Sequence, residues 1–273
     1  MSPPLISILT ATRNCCRDLS ITADSIRMQT FRDFEWIIQD CVSDEDYAFI
    51  REDQRLPTAF VSEFDHGIYD ALNRALRRSS GDWILVLGAG DWLAGPTALE
   101  RLAGLMSQES DVAICDVFEV SINGNITRRV ADHPSSKVSL LKDFTNHRRY
   151  KHFLEGMPCH QGVLVKRSRM EEHPFDLNFK ISADWHQLLR LSFQGCNIQR
   201  IDHSLAWYPN GGFSYQNSCL WVEEICSIIS LFSGRPDLAR EYMLPVLAEH
   251  RRLEARHHEL RRIISHGFQL DSL

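Results

Sequence analysis

Short apolar runs recur through the first half of the chain, each stopped by a polar or glycine-rich step and followed by residues of helical spacing. This alternation limits the fold more than any other feature. The runs are residues 5–10, 36–39, 83–87 and 112–118. They are apolar on both faces, as strands are when helices cover both sides of a sheet. Between them, apolar residues recur three and four apart: Leu19, Thr22, Ala23 and Ile26, then Tyr69, Leu72, Ala75 and Leu76. A third set, Leu99, Leu102 and Met106, follows Gly95-Pro96, which suits a first helical turn. Asp18 reads as the N-cap of the first helix. Strand and helix alternating in this way predict βαβ units around a parallel sheet, an α/β fold. Further on, residues 163–165 read as a short strand, and Asp184 stands at the start of a helix bearing Leu188 and Leu189.

Ligands of such sheets gather at the carboxyl ends of the strands. Thr10-Ala11-Thr12-Arg13-Asn14 follows the first strand and holds no glycine. That excludes a dinucleotide G-x-G-x-x-G turn and a P-loop, so a nucleotide here would be held by side chains and a metal ion. Asp40 ends the second strand, where it can accept a bond from a base N–H or a ribose hydroxyl, or serve the loop. Gly88-Ala89-Gly90-Asp91 ends the third. Its glycines permit a tight turn and close backbone approach. Asp91 offers the oxygen ligand that Mg2+ or Mn2+ prefers, with capping of the next helix as the alternative. Asp70 and Asn73 share a helix face.

The chain carries 30 Lys+Arg against 36 Asp+Glu, a formal charge of −6, which argues against nucleic acid as a partner. Eight cysteines form no C-x-x-C pair, so zinc-ribbon spacing is absent and the expectation is buried, reduced thiols in a cytoplasmic protein. Met-Ser-Pro-Pro lacks the basic start of a signal peptide, and no apolar run approaches the roughly 20 residues of a membrane span. Residues 119–160 read as a polar, irregular excursion. From residue 220 the pattern is helical, with Trp221, Val222, Ile225, Ile228, Ile229 and Phe232 on one stripe. A last helix pairs Leu253 and Leu260 with a face of arginines broken by glutamates. It can pack on the preceding domain, form a homodimer seam, or make peripheral contact with the inner face of a membrane.

Ordered fragments along residues 5–215 together resemble the family 2 glycosyltransferases. Ser7-Ile8-Leu9-Thr10-Ala11-Thr12-Arg13-Asn14 looks like the family's opening strand and donor loop, and Gln29-Thr30-Phe31 with Phe34-Glu35-Trp36-Ile37-Ile38 its next segment. Asp65-His66-Gly67-Ile68-Tyr69-Asp70-Ala71-Leu72-Asn73 resembles the "D-x-G-I-Y-D-A-M-N" signature of bacterial polysaccharide-forming members. Gly81-Asp82-Trp83-Ile84 with Leu87-Gly88-Ala89-Gly90-Asp91, then His160-Gln161, Ile181-Ser182-Ala183-Asp184-Trp185 and Gly211-Gly212-Phe213-Ser214 look like later elements. Two departures stand out: Cys41-Val42 replaces the glycine that follows the second strand's Asp, and Gly90 replaces an acid found in many members.

The resemblance implies a GT-A fold over residues 1–215, a Rossmann-like, mostly parallel mixed sheet flanked by helices, with a helical extension over 216–273. It implies inverting transfer from a nucleoside-diphosphate sugar to a hydroxyl acceptor, a glycan or lipid-linked sugar. Asp184 would be the catalytic base, and Asp91 would hold Mn2+ or Mg2+. Thr10, Thr12, Asn14, Asp40, Asp65, Gly67, Asp70, Asn73 and Gly90 would line the donor site. His160, Gln161, Trp185, Gly212 and Ser214 would meet the acceptor or the diphosphate. The alternatives are a sugar nucleotidyltransferase, which would want a glycine-rich basic loop after the first strand, and an inactive nucleotide-sugar-binding protein of the same fold.

Overall fold

The computed structural model describes residues 2–121, 123–130 and 157–234, with residues 236, 237, 241 and 248. The expected helix bearing Leu253 and Leu260, and most of the excursion in 119–160, lie outside the described residues. The chain divides into two compact units, Met1–Gly212 and Phe213–Leu273.

In the first unit the alternating pattern becomes β1 (Ile6–Thr12), α1 (Cys16–Arg27), β2 (Phe34–Asp40), α2 (Ala48–Arg51), β3 (Thr58–Ser62), α3 (Ile68–Arg78) and β4 (Trp83–Val86). Next come β5 (Trp92–Leu93), α4 (Ala98–Leu105), β6 (Val112–Val120) and β7 (Ile126–Arg129). After a 3-10 turn at His160–Gly162, β8 (Val163–Lys166), α5 (Arg167–Glu172), α6 (Ala183–Phe193) and β9 (Ile198–Pro209) complete the unit. Among the described residues nine strands join one sheet in the order β3-β2-β1-β4-β8-β6-β9-β5, with β7 on β6. The first four are mutually parallel, and β6 runs with them beside a parallel β9. β8 lies antiparallel between β4 and β6. Six strands therefore point one way, and their carboxyl ends lie along one edge.

Apolar side chains account for this arrangement. Ile6 and Ile8 of β1, Trp36 and Ile38 of β2, Leu85 of β4 and Ala113 of β6 meet Leu19, Ala23 and Ile26 of α1 and Leu99 and Leu102 of α4 in one fully buried cluster. Burying side chains of this size contributes on the order of 1.5–3 kcal/mol each. Polar atoms within it are paired: Trp36 Nε1 donates to Thr10 Oγ1 at 2.9 Å, and Thr10 donates to the Leu87 carbonyl at 2.6 Å. Gln29 bridges α1 and the 95–99 turn, donating to Ser25 and Gly95 carbonyls and accepting from Leu99 N–H.

Some expectations change. Helix α1 begins at Cys16 with Cys15 in the cap position, so Asp18 sits in its first turn and favours the helix dipole rather than capping it. Asp91 precedes β5, not a helix. The excursion opens as an ordered β6–β7 hairpin. All eight cysteines are free, as thiols without bridges, but only Cys41 and Cys115 are buried.

The second unit holds α7 (Phe213–Gln216) and α8 (Ser218–Ser233), which bury Val222, Ile225, Ile228 and Ile229 of the expected stripe. Gly234 ends α8 in the left-handed conformation, φ 68°, which glycine adopts without strain. Among the described residues no helix is long and apolar enough to cross a membrane.

Candidate active site

The turn after β4 is built around Asp91. Its backbone N–H bonds the Gly88 carbonyl at 3.1 Å, and its Oδ2 accepts the Gly88 N–H at 2.8 Å. A Cβ on residue 88 would sit 2.8 Å from that oxygen, so glycine is what lets the carboxylate fold back on the chain. Gly90 takes φ 95° and donates its N–H to Thr22 Oγ1 at 3.0 Å, pinning the turn to α1. Asp91 is 7% exposed. Burial pushes its carboxyl up to about 6, against smaller opposing effects of His160, the Gln161 side chain and the Gly88 N–H. Oδ2 also accepts Gln161 Nε2 at 3.1 Å. Among the described residues, Oδ1 has no protein partner.

The 3-10 turn that leads into β8 delivers His160 and Gln161. Gly162 fixes its placement: a Cβ there would lie 2.5 Å from the Cys115 carbonyl oxygen and 3.0 Å from Val117 Cγ1, so the turn presses directly on β6. While Gln161 reaches Asp91, the preceding His160 places Nδ1 3.4 Å from Asp184 Oδ2. Burial disfavours the charged imidazole, but Asp184 and the more distant Asp91 outweigh it, and the histidine's pKa is raised. Asp184 stands in the first turn of α6. Its other oxygen lies 2.9 Å from Tyr69 Oη, a residue of α3. Two consecutive residues thus connect two carboxylates that stand far apart in sequence.

A second cluster forms at the ends of β1, β2 and β3. Thr12 pairs with Asp40 across the ladder, and Cys41 Sγ lies 3.8 Å from the Asp65 carbonyl. Thr12 Oγ1 and Asp65 Oδ2 are buried with no hydrogen-bond partner. Buried polar atoms are rarely left unpaired, so each has hydrogen-bonding capacity left to offer a polar group. Asp65 Oδ1 meanwhile accepts the Gly67 N–H at 3.0 Å, and Gly67 adopts φ 116° ahead of α3.

Other expected donor residues have protein partners. The Thr10 hydroxyl ties β1 to β4 and to Trp36, and the side chain is fully buried. Asp40 accepts the Ser43 N–H at 3.0 Å, the Ser62 hydroxyl at 2.6 Å and the Ser43 hydroxyl, so its carboxylate organises the 41–44 loop. Asn14, in the left-handed region at φ 50°, donates its N–H to Ser43 and accepts the Asp44 N–H. Asn73 clamps the Phe175 backbone through both amide atoms. Asp70 accepts from the His66 N–H and Arg74. These five side chains all have structural hydrogen bonds within the chain. Trp185 is half-buried on α6, Gly212 ends the first unit, and Ser214 is exposed in the second. Thr22 and Tyr69 escaped the sequence reading of function, although Tyr69 lies inside the quoted Gly67–Asn73 signature.

A mostly parallel sheet packed against helices, with a glycine turn and a buried acid at the carboxyl end of a strand, is the arrangement of an α/β fold that binds its ligand along that edge. Residues 7–173 match the family described as "Glycosyl transferase family 2". The chain belongs to that family and is a glycosyltransferase. It is 27% identical over 225 residues to a PGL/p-HBAD biosynthesis glycosyltransferase of Mycobacterium bovis, covering 78% of this chain and 80% of that protein. It is 30% identical over 194 residues to an uncharacterized glycosyltransferase of Mycobacterium tuberculosis, 69% of each. Its fold is similar to S. aureus TarS 1–349 in complex with UDP-GlcNAc, with TM-score 0.64 and 14% identity over 88% of this chain and 71% of that one. It is similar also to the mannosyltransferase PcManGT from Pyrobaculum calidifontis in complex with GDP-Man and Mn2+, with TM-score 0.62 and 14% identity over 91% and 74%. The fold is therefore GT-A. Family membership sets aside the sugar nucleotidyltransferase alternative.

Proposed function

We propose that this chain is an inverting glycosyltransferase in which Asp184 is the catalytic base and Asp91 the metal ligand, acting in polysaccharide or glycolipid assembly. What supports the reading is the His160-Gln161 pair, whose adjacent side chains approach Asp184 and Asp91 respectively, so that both acids border one short turn.

The nucleoside would bind over the ends of β1–β3, where Thr12 Oγ1 offers a hydroxyl and Asp65 Oδ2 an acceptor. The diphosphate would then extend toward the Gly88–Asp91 turn. Among the described residues no cluster of three His, Cys, Asp or Glu surrounds Asp91, so it would give a divalent ion one carboxylate, through the Oδ1 that has no protein partner, with diphosphate oxygens and water as the other ligands. Mn2+ or Mg2+ bound there would neutralise charge building on the leaving diphosphate. Asp184 would take the proton of the acceptor hydroxyl as its oxygen bonds the anomeric carbon from the face opposite the diphosphate, which departs with the electrons of the broken C–O bond. Such proton removal contributes on the order of 10²–10⁴-fold. His160, between the two acids, would supply positive charge near the leaving group.

The acceptor is read as a glycan or lipid-linked sugar, and the site of action as the cytoplasm or the inner face of the membrane. A relative named for PGL/p-HBAD biosynthesis supports a biosynthetic role. A homodimer and membrane contact through the C-terminal helices remain part of the proposal. The test is a panel of UDP-GlcNAc, UDP-glucose, GDP-mannose and dTDP-glucose with and without Mn2+. Melting temperature and nucleoside diphosphate release are both followed, because a ligand of the native state raises its melting point. The reading expects one donor to raise the melting point only with Mn2+, and Asp184→Asn to retain that binding while losing release. An Asp184→Asn protein with near-normal release would refute it.

A further inference from the structure

Helix α3 supplies a residue that none of these roles uses. Tyr69 is 9% exposed, and its ring packs against Phe175 with centroids 5.1 Å apart. Its Oη lies 2.6 Å from the Ile181 carbonyl and 2.9 Å from Asp184 Oδ1, with its single proton between two acceptors. One phenol therefore touches both the lead-in to α6 and the carboxylate on that helix's first turn. Asn73, four residues on and so on the same face of α3, holds the Phe175 backbone from both sides. Together they dock the 175–181 segment, and with it the start of α6, onto α3.

We propose that Tyr69 is a positioning residue for the transfer reaction, holding the Asp184 carboxylate in the orientation that faces the acceptor hydroxyl. The inference rests on Asp184 being the base. The carboxylate is hydrogen-bonded by Tyr69 at Oδ1 and has His160 Nδ1 3.4 Å from Oδ2, so rotation about its Cβ–Cγ bond would break the Tyr69 bond and move Oδ2 away from the imidazole. Cys159 and Asp91 are the other titratable groups near this cluster, and neither contacts Asp184 directly. A phenol suits the task chemically. It donates a directed hydrogen bond to Oδ1 and adds no further charge to the one that His160 brings near Oδ2.

Tyr69→Phe removes one oxygen and keeps the ring in its packing against Phe175. The assay is nucleoside diphosphate release with whichever of UDP-GlcNAc, UDP-glucose, GDP-mannose and dTDP-glucose the unaltered enzyme consumes. Misplacing a reacting group by about an ångström costs up to about a hundredfold, so kcat should fall roughly ten- to hundredfold. The donor KM and the melting shift given by donor and Mn2+ should stay within about twofold. Added to Asp184→Asn, Tyr69→Phe should lower the residual rate no further, since both substitutions act through one group. That last readout separates positioning from general support of the fold. The inference is overturned if Tyr69→Phe keeps the full kcat, if donor binding weakens as much as kcat falls, or if its loss multiplies on the Asp184→Asn background. An active Asp184→Asn single variant would remove the base assignment itself, which is a different result in a different protein.

Discussion

Asp91→Asn should make the metal-free protein more stable at neutral and alkaline pH while abolishing its response to metal. The wild-type carboxyl is raised from 3.8 to about 6 by burial. That shift of about 2 units, at 1.36 kcal/mol per unit, corresponds to about 3 kcal/mol between protonation states. The sign follows from proton counting. Between these two values the folded chain binds more protons than the unfolded chain, so stability declines as pH rises through that window. Below about pH 4 the acid is neutral in both states and costs nothing; above about 6 the full penalty applies. Asparagine keeps the shape, and its carbonyl oxygen can still accept the Gly88 and Gln161 donors. Urea denaturation at pH 8 should show the Asn variant more stable by up to about 3 kcal/mol, or roughly 6–12 °C in melting temperature for a chain this size. At pH 4 the two proteins should coincide. Adding Mn2+ with a nucleoside diphosphate should raise the wild-type midpoint and leave the variant's unchanged. A variant less stable than wild type at pH 8, or a gap independent of pH, would show that burial does not strain this carboxylate, and the argument for a cation site would lose its basis.

Two further substitutions probe how the site is framed. Gly162→Ala should cost about 1–3 kcal/mol in thermal or urea unfolding and lower activity as well, because its Cβ meets the Cys115 carbonyl and displaces His160 and Gln161. Asp40→Ala should cost about 2–4 kcal/mol, since it strands the Ser43 N–H and the Ser43 and Ser62 hydroxyls; a surface role for Asp40 would leave the urea midpoint unmoved.

The sequence foretold what is set locally. β1, β2, β4 and β6 carry apolar side chains on both faces, and α1 and α3 have stripes of helical period, so each announces itself within a short window. β3 and β9 do not. β3 is a half-exposed edge strand, and β9 mixes exposed Arg200 and Asp202 with buried Ile201 and Leu205. Such strands are fixed by pairing with distant partners, and no window contains the partner. The site divides in the same way. Asp91 was legible from the glycines that precede it. The Gln161–Asp91 bond spans 70 residues and the Tyr69–Asp184 bond 115, so sequence could nominate the residues but not their contacts. Asp40, Asn14 and Asn73 show the converse. Their types suit ligand binding and loop bracing equally well, and only the folded chain shows the bracing bonds that they make.

The place of β8, antiparallel between β4 and β6, sets an order of assembly. β1 through β4 are joined by short crossovers and can pair soon after one another during folding. The strand that brings His160-Gln161 must wait for chain from well beyond β6 to return to the sheet's middle, and such closures are slow because ordering entropy is lost before contacts repay it. The half of the sheet built from β1–β4 therefore matures first, and the place where His160-Gln161 meets Asp184 and Asp91 is among the last to take its native shape.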